Sequence, residues 1–180
     1  MKQLQIARNG YIFVSTLFYL AAGVYLFNPS PPKTIVCYFA GVFLLIYGTI
    51  KIVGFCSNDL YCLAFQYDLA VGLLMLVIGV ILLAKAPQCA PYLSAGFGWI
   101  ALLDGLLKLQ MSKDAKRFGL EQWKSILTLS IITGVASVLL ICMSANPVAV
   151  HTLTVCVLLA EGILNHYVVV LTVRPRHSSK

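Results

Sequence analysis

The sequence predicts an all-α membrane protein: a six-transmembrane-helix bundle built from three parallel helical-hairpin repeats. Of the 180 residues, 60% are hydrophobic and 11% are charged, whereas soluble domains average about 45–50% and about 25%. The apolar residues form six continuous runs, each near the roughly 20 residues that span a bilayer as a helix. Finally, Gly48, Gly105 and Gly162 recur at a constant spacing of 57 residues (105 − 48 and 162 − 105).

The six runs are continuous in hydrophobicity, which argues against barrel strands, because those alternate in polarity over about 10 residues. Since the runs nearly fill the chain, residues 1–180 are predicted to be a single integral membrane domain. The first run follows two basic residues, as in a signal peptide, but no small-x-small cleavage site follows it, so we expect a retained helix. The runs are approximately Tyr11–Phe27, Thr34–Val53, Leu63–Ala84, Tyr92–Leu109, Ile126–Met143 and Val148–Val173.

Two kinds of break separate the runs. The breaks after the first, third and fifth runs are short and contain proline, which lacks a backbone donor and ends helices. They lie at residues 28–32, 87–91 and 146–147. The breaks after the second and fourth runs are longer and more polar. The runs therefore pair into hairpin repeats at about 10–55, 63–110 and 124–173, with a cytoplasmic linker at 110–125.

The basic residues predict the orientation in the membrane. The proline breaks carry only Lys33 and Lys85 of the 13 basic residues, and the other 11 lie in the opposite segments. Because Lys and Arg concentrate on the cytoplasmic side, we predict cytoplasmic N- and C-termini. The basic groups are spread over four segments, which argues against a nucleic-acid interface. The expected partner is the lipid bilayer, and a homo-oligomer or a second membrane protein stays open as a further partner.

The hairpins are predicted to be an internal repeat, since a fixed period of this size indicates repeated structural units. Hairpins that start and end on one side of the membrane share one orientation, so the repeats are parallel, related by an axis along the membrane normal. Small residues let helix backbones approach closely inside a membrane. The predicted helix-packing glycines are Gly41, Gly48, Gly72, Gly79, Gly98, Gly105 and Gly162.

Paired helices, a proline break after the first helix of each pair and a glycine-centred second helix resemble the HdeD-like acid-resistance membrane proteins. The segment from Lys113 to Gly119, followed by Trp123, is similar to the linker before their last hairpin. The resemblance covers nearly the whole chain. It implies a small bacterial inner (plasma) membrane protein, linked in some members to survival of acid stress. The family brings no agreed catalytic residues.

Ionisable residues inside the runs form the candidate site. Burying a charge costs about 2.5–3.5 kcal/mol on insertion scales, so such residues face the bundle interior and find partners. Two interpretations stay open: a cluster that relays protons, senses pH or binds a small ion, or an ion-pair network that fixes helix register. Asp68 is within plausible reach of Lys51 or Lys108. The predicted intramembrane polar cluster is Asp68, Asp104, Lys108, Glu161 and Asn165.

Enzyme signatures are absent from the sequence. There is no G-x-S-x-G, H-E-x-x-H or phosphate-binding glycine loop, and the six cysteines show no metal-ligand spacing. We predict a protein that is not an enzyme and has no cofactor and no metal. The first functional hypothesis is an acid- or stress-response membrane protein, and the alternative is a small proton or ion channel or transporter. His151 and His166 are weaker candidates for acid sensing.

Overall fold

A computed structural model describes residues 2–28, 31–57, 65 and 67–172. All regular structure in this part of the chain is helical, which confirms the all-α prediction. The start of the third predicted run, before Asp68, lies partly outside the described residues. The long helices are α1 (Lys2–Phe27), α2 (Lys33–Phe55), α3 (Asp68–Ala84), α4 (Leu93–Arg117), α5 (Trp123–Cys142) and α6 (Pro147–Thr172).

Within the described residues, five helical segments are long and apolar enough to cross a membrane: Leu4–Phe27, Lys33–Phe55, Ala86–Arg117, Trp123–Cys142 and Pro147–Leu171. The remaining helix, α3, is equally apolar but has only 17 residues. Large apolar side chains cover the outside of the bundle, as Phe39 at 74% exposure and Val77 at 58% illustrate. Soluble monomers rarely expose apolar patches beyond a few hundred Å². The surface therefore contacts lipid, and the chain is a multi-pass membrane protein.

The prolines begin helices in this fold. Asn146 caps α6, because its side-chain oxygen accepts the backbone N–H groups of Val148 at 3.1 Å and Ala149 at 3.2 Å. Pro147 then occupies the first helical position, where a missing N–H costs nothing. The break predicted at 87–91 is also helical: Ala86–Cys89 and the 3₁₀ turn Ala90–Tyr92 each carry a proline near their start and lead into α4.

Helix α4 continues through the first half of the segment 110–125 that we predicted as a linker. It ends where Gly119 adopts a left-handed φ of 71°. The Gly119 N–H donates to the Lys116 carbonyl at 3.1 Å, and the Leu120 N–H donates to the Ala115 carbonyl at 3.0 Å. This pair of bonds is a Schellman motif, which satisfies carbonyls that a helix end leaves free. The connection to α5 shrinks to residues 118–122.

Helix packing is tightest between the predicted hairpins. The most extensive contacts join α2 to α3, α4 to α5, and α6 to α1. Each of these pairs combines the second helix of one predicted hairpin with the first helix of another. Helices α1 and α2, and helices α5 and α6, pack less extensively. The pairing of α6 with α1 closes the bundle on itself.

The seven predicted glycines lie at these tight contacts. A Cβ on Gly48 would lie 2.7 Å from the Gly72 carbonyl oxygen, and one on Gly72 would lie 2.8 Å from the Gly48 oxygen. Gly41 and Gly79 repeat this approach further along α2 and α3, at 3.0–3.1 Å. Backbones this close leave no room for a methyl group. In the other two helix pairs, Gly98 and Gly105 face α5, and Gly162 faces α1.

We predict that Gly48→Ala destabilises the protein by about 1–3 kcal/mol, because the added methyl group overpacks a contact with rigid backbone. The matched control is Gly134→Ala, where an added Cβ has nothing within 4 Å and alanine favours the helix by about 1 kcal/mol. The free energy of unfolding in detergent micelles measures both. Equal stability of the two variants would show that the close approach of α2 and α3 is not a constraint.

Candidate functional site

Five ionisable side chains are buried together near one end of the bundle, where α2 and α4 end and α3 begins. We call this the basic end, and the opposite end, which holds the proline segments, the proline end. None of the five residues is more than 4% exposed. They come from four different helices, and we call them the charge network: Lys51 of α2, Asp68 of α3, Asp104 and Lys108 of α4, and Glu161 of α6.

Acids and lysines alternate along the charge network. The Lys51 ammonium lies 2.9 Å from Asp68 Oδ1 and 3.3 Å from Asp104 Oδ1. The Lys108 ammonium contacts Asp104 Oδ2 and lies 3.1 Å from Glu161 Oε2. Each lysine therefore bridges two carboxyl groups on different helices. A buried charge without such partners costs several kcal/mol, so the network holds α2, α3, α4 and α6 at one fixed level.

Two tyrosines enclose one end of the charge network. The Tyr11 hydroxyl donates a hydrogen bond to Asp68 Oδ2. Its ring meets the Tyr47 ring edge to face, with centroids 5.9 Å apart. The Lys51 ammonium lies 5.4 Å from the Tyr11 ring centroid and 4.8 Å from that of Tyr47, within the range of a cation–π interaction. Lys51 is thus held by both carboxylates and aromatic faces.

Asn165 completes the other end of the charge network. Its amide nitrogen donates to Glu161 Oε2 at 3.4 Å, and its amide oxygen accepts the Tyr47 hydroxyl at 2.9 Å. The second oxygen of Glu161, Oε1, is buried and has no hydrogen-bond partner. The Tyr47 ring also lies beside the Lys51 ammonium, so these contacts form a closed ring of residues within the bundle.

The structure brings all five residues of the predicted polar cluster together. The prediction placed Lys51 within reach of Asp68 but did not include it in the cluster, and it left out Tyr11 and Tyr47. The repeat spacing is the signal that finds them, because Tyr11 and Asp68 are 57 residues apart. The other equivalent positions form two sets, Tyr47 with Asp104 and Glu161, and Lys51 with Lys108 and Asn165.

The third repeat departs from this pattern. The buried face of α3 includes Asp68, Gly72 and Met75, and that of α5 includes Ile126, Ser130 and Thr133, so the two faces differ by 58 residues (126 − 68). Ile126 therefore occupies the position that Asp68 occupies in α3. Consequently α5 contributes no ionisable group to the charge network.

Apolar side chains separate the charge network from the proline end. The Phe18 ring packs against the rings of Tyr47 and Phe43, with centroids 5.9 and 4.9 Å apart, and Leu44 and Met75 are buried beside this region. The buried hydroxyls of α5 donate to carbonyls of their own helix: Ser130, Thr133 and Ser137. In the part of the chain that the structure describes, Phe18, Phe43, Leu44 and Met75 therefore make the surroundings of Tyr47 on this side largely apolar.

A small cavity of about 20 Å³ borders the charge network toward the basic end. Its lining includes Asp68, Asp104, Lys108, Met111 and Tyr67, and the Tyr67 side chain is half-buried. A space of this size accommodates about one water molecule, and the polar groups around it would bind that water. The network therefore borders a space for one water molecule on the side of the basic end.

The two histidines that we considered for acid sensing, His151 and His166, lie outside the charge network. At the proline end, His151 Nε2 lies 2.8 Å from the Tyr25 carbonyl oxygen, and the two rings stack with centroids 5.9 Å apart, so His151 joins α6 to α1. His166 points outward on α6. Among the described residues, no group of three His, Cys, Asp or Glu side chains is arranged to hold a metal ion.

A family model described as a short repeat of unknown function (DUF308) matches the chain twice, at residues 13–84 and 70–142. The second match begins 57 residues after the first (70 − 13), which is the spacing of the glycines, and this confirms the internal repeat. The first match runs from α1 to α3, and the second runs from α3 to α5. No curated protein and no solved structure matches the chain.

We predict that Lys51→Met destabilises the protein by about 3–5 kcal/mol, because it leaves the buried carboxylates of Asp68 and Asp104 without their shared cation. Arg117→Met is the matched control, since Arg117 is 83% exposed and its 3.5 Å ion pair with Asp114 lies at the surface. Surface pairs contribute little, so we expect no measurable change there. Thermal unfolding in detergent tests both, and similar losses would contradict the burial argument.

Proposed function

Because the chain belongs to the family of short repeats of unknown function (DUF308), we propose that it is a bacterial inner-membrane protein of the HdeD-like type. Its role is non-enzymatic and belongs to the response to acid and related stress. The observation that carries this proposal is the charge network: buried acids border a cavity for one water molecule on the side of the basic end, and large apolar side chains are buried on the other side.

In this proposal the chain crosses the membrane six times, as three parallel hairpins. The 17 residues of α3 make a helix of about 25 Å at 1.5 Å per residue, close to the hydrocarbon thickness of about 30 Å. The three equivalent helix pairs, α2 with α3, α4 with α5 and α6 with α1, support an axis along the membrane normal. The basic residues near the end of α4 and the start of α5 favour a cytoplasmic basic end.

The size and pairing of the site support a role without catalysis. A cavity of about 20 Å³ is far smaller than the roughly 300–1,000 Å³ of small-molecule pockets. The amines of the charge network are both occupied by carboxyl groups, so neither is free to act as a base or nucleophile. A water molecule or a proton is the ligand that fits this site, and no cofactor is part of the proposal.

The alternative function is a small proton or ion channel or transporter, and the acids of the charge network are what favours it, since membrane acids form proton relays in pumps. The apolar packing around Phe18 and Met75 argues against a path through the single bundle. A conducting pathway would then require an assembly of several copies or a second membrane protein. Measurement of proton flux separates the two functions.

We predict that proteoliposomes carrying the protein and an internal pH-reporting dye show no more proton flux than empty vesicles under an imposed acid gradient. The apolar region between the charge network and the proline end is the physical reason. The double variant Asp104→Asn, Glu161→Gln serves as the comparison. Flux in the wild type that disappears in this variant would replace the stress-protein proposal with the channel or transporter.

We predict that a membrane-impermeant maleimide labels Cys89 in intact spheroplasts and labels Cys56 only after the membrane is opened. Cys56 is exposed and ends α2 at the basic end, whereas Cys89 lies in the short helix before α4 at the proline end. Variants that retain only one of these two cysteines give the cleanest reading. The reverse labelling pattern would overturn the orientation.

A further inference from the structure

We propose that the Glu161 carboxyl group binds one exchangeable proton, which it shares with Asp104, and that this proton enters and leaves only through the basic end. The inference rests on the proposed function, since it names the ligand of the same site and the side from which the ligand comes. Four observations carry it: the charge count of the network, an unpaired oxygen, the lysine that two carboxyl groups share, and the position of the cavity.

The charge network holds more acids than bases. It contains three carboxyl groups and two amines, so it would carry one net negative charge if every group were ionised. An unpaired charge buried in an apolar bundle is costly. A single proton on one carboxyl group removes that charge while both lysines keep their partners.

The titratable groups that face the site come from four elements. Helix α5 contributes Ile126 and no titratable side chain there, and α6 contributes only Glu161 itself, with the neutral amide of Asn165 beside it. Within the described residues, the remaining groups are Tyr11 on α1, Tyr47 and Lys51 on α2, Tyr67 and Asp68 at the start of α3, and Asp104 and Lys108 on α4.

The hydrogen bonds show which carboxyl group lacks a partner. Asp68 accepts from Lys51 and from the Tyr11 hydroxyl, and the two oxygens of Asp104 each contact a different lysine. Glu161 accepts on Oε2 only, and its buried Oε1 has no partner. A proton on Oε1 gives this oxygen a hydrogen bond to donate.

The nearest acidic neighbour of Glu161 in the charge network is Asp104, because the carboxyl groups of both residues contact the same Lys108 ammonium. Two carboxyl groups that share a site hold one proton between them, because the repulsion between two negative charges opposes ionisation of the second group. The carboxylic acid of Glu161 then donates to the carboxylate of Asp104.

The surroundings of the site decide the route of the proton. The one-water cavity borders Asp104 and Lys108, and half-buried Tyr67 lines it on the side of the basic end. Toward the proline end, the Phe18 ring packs against Tyr47 and Met75 is buried in the same apolar core, and these two side chains offer a proton no acceptor. The site therefore responds to the pH at the basic end and does not pass the proton across the membrane.

Infrared difference spectroscopy of the wild-type protein in liposomes tests the inference, because a protonated carboxyl group has a C=O stretch that a carboxylate lacks. As the pH is raised, we expect the wild type to lose one such band. Glu161→Gln should lack the band altogether, and its amide keeps the shape of the side chain. Glu121→Gln is the matched control, since Glu121 is exposed on the loop before α5, and it should retain the band.

A wild-type spectrum without a protonated carboxyl band, or a band that Glu161→Gln leaves intact, would overturn the inference. Survival of an acid challenge by cells that express each variant separates this result from the proposed function. If Glu161→Gln removes the band and cells survive as well as with the wild type, the proton site stands and the acid-stress role fails. If survival depends on the protein but the wild type shows no band, only the proton site fails.

Discussion

The cost of placing charge inside an apolar bundle is the constraint on which this fold depends. Lipid-facing side chains give helices no hydrophobic reason to associate, because the surroundings are as apolar as the side chains themselves. The charge network supplies the missing specificity. Lys51 links α2 to α3 and α4, and Lys108 links α4 to α6. Any sliding of one helix by a residue would leave a buried charge unpaired, so the network sets the level of four helices at once.

Glycines perform the complementary task on a different face of the same helices. On α2, Gly48 approaches the backbone of α3 at Gly72, whereas the adjacent Tyr47 and the following Lys51 point to the charge network. Close backbone contact gives packing energy, and ion pairs give register. In the second helix of each predicted hairpin, the repeat places a glycine beside a polar residue. Close backbone packing and polar contact therefore recur three times around the bundle.

Hydrophobic periodicity, proline breaks and repeat spacing were enough to predict the helices, the packing glycines and five members of the polar cluster. They were not enough to predict how the hairpins pack, since α6 meets α1 through contacts between opposite parts of the chain. The bond between Tyr47 and Asn165 spans 118 residues and has no local signal. The extension of α4 was not predicted, because the basic residues in the last turn of this helix are also typical of a loop. In the structure, Ala115 and Ser112 of this extension are buried.

The repeat also explains how an almost symmetric bundle acquires a unique site. Three equivalent positions of the repeat carry Tyr47, Asp104 and Glu161. The first is a neutral group, the second is a carboxyl group paired with two lysines, and the third is a carboxyl group with one unpaired oxygen. If all three positions carried acids, these acids together with Asp68 would outnumber the two lysines by two. By varying these positions, the chain balances all but one charge. In the proton site that we propose, this imbalance falls on Glu161, and Lys108 keeps Asp104 as its partner when Glu161 is protonated.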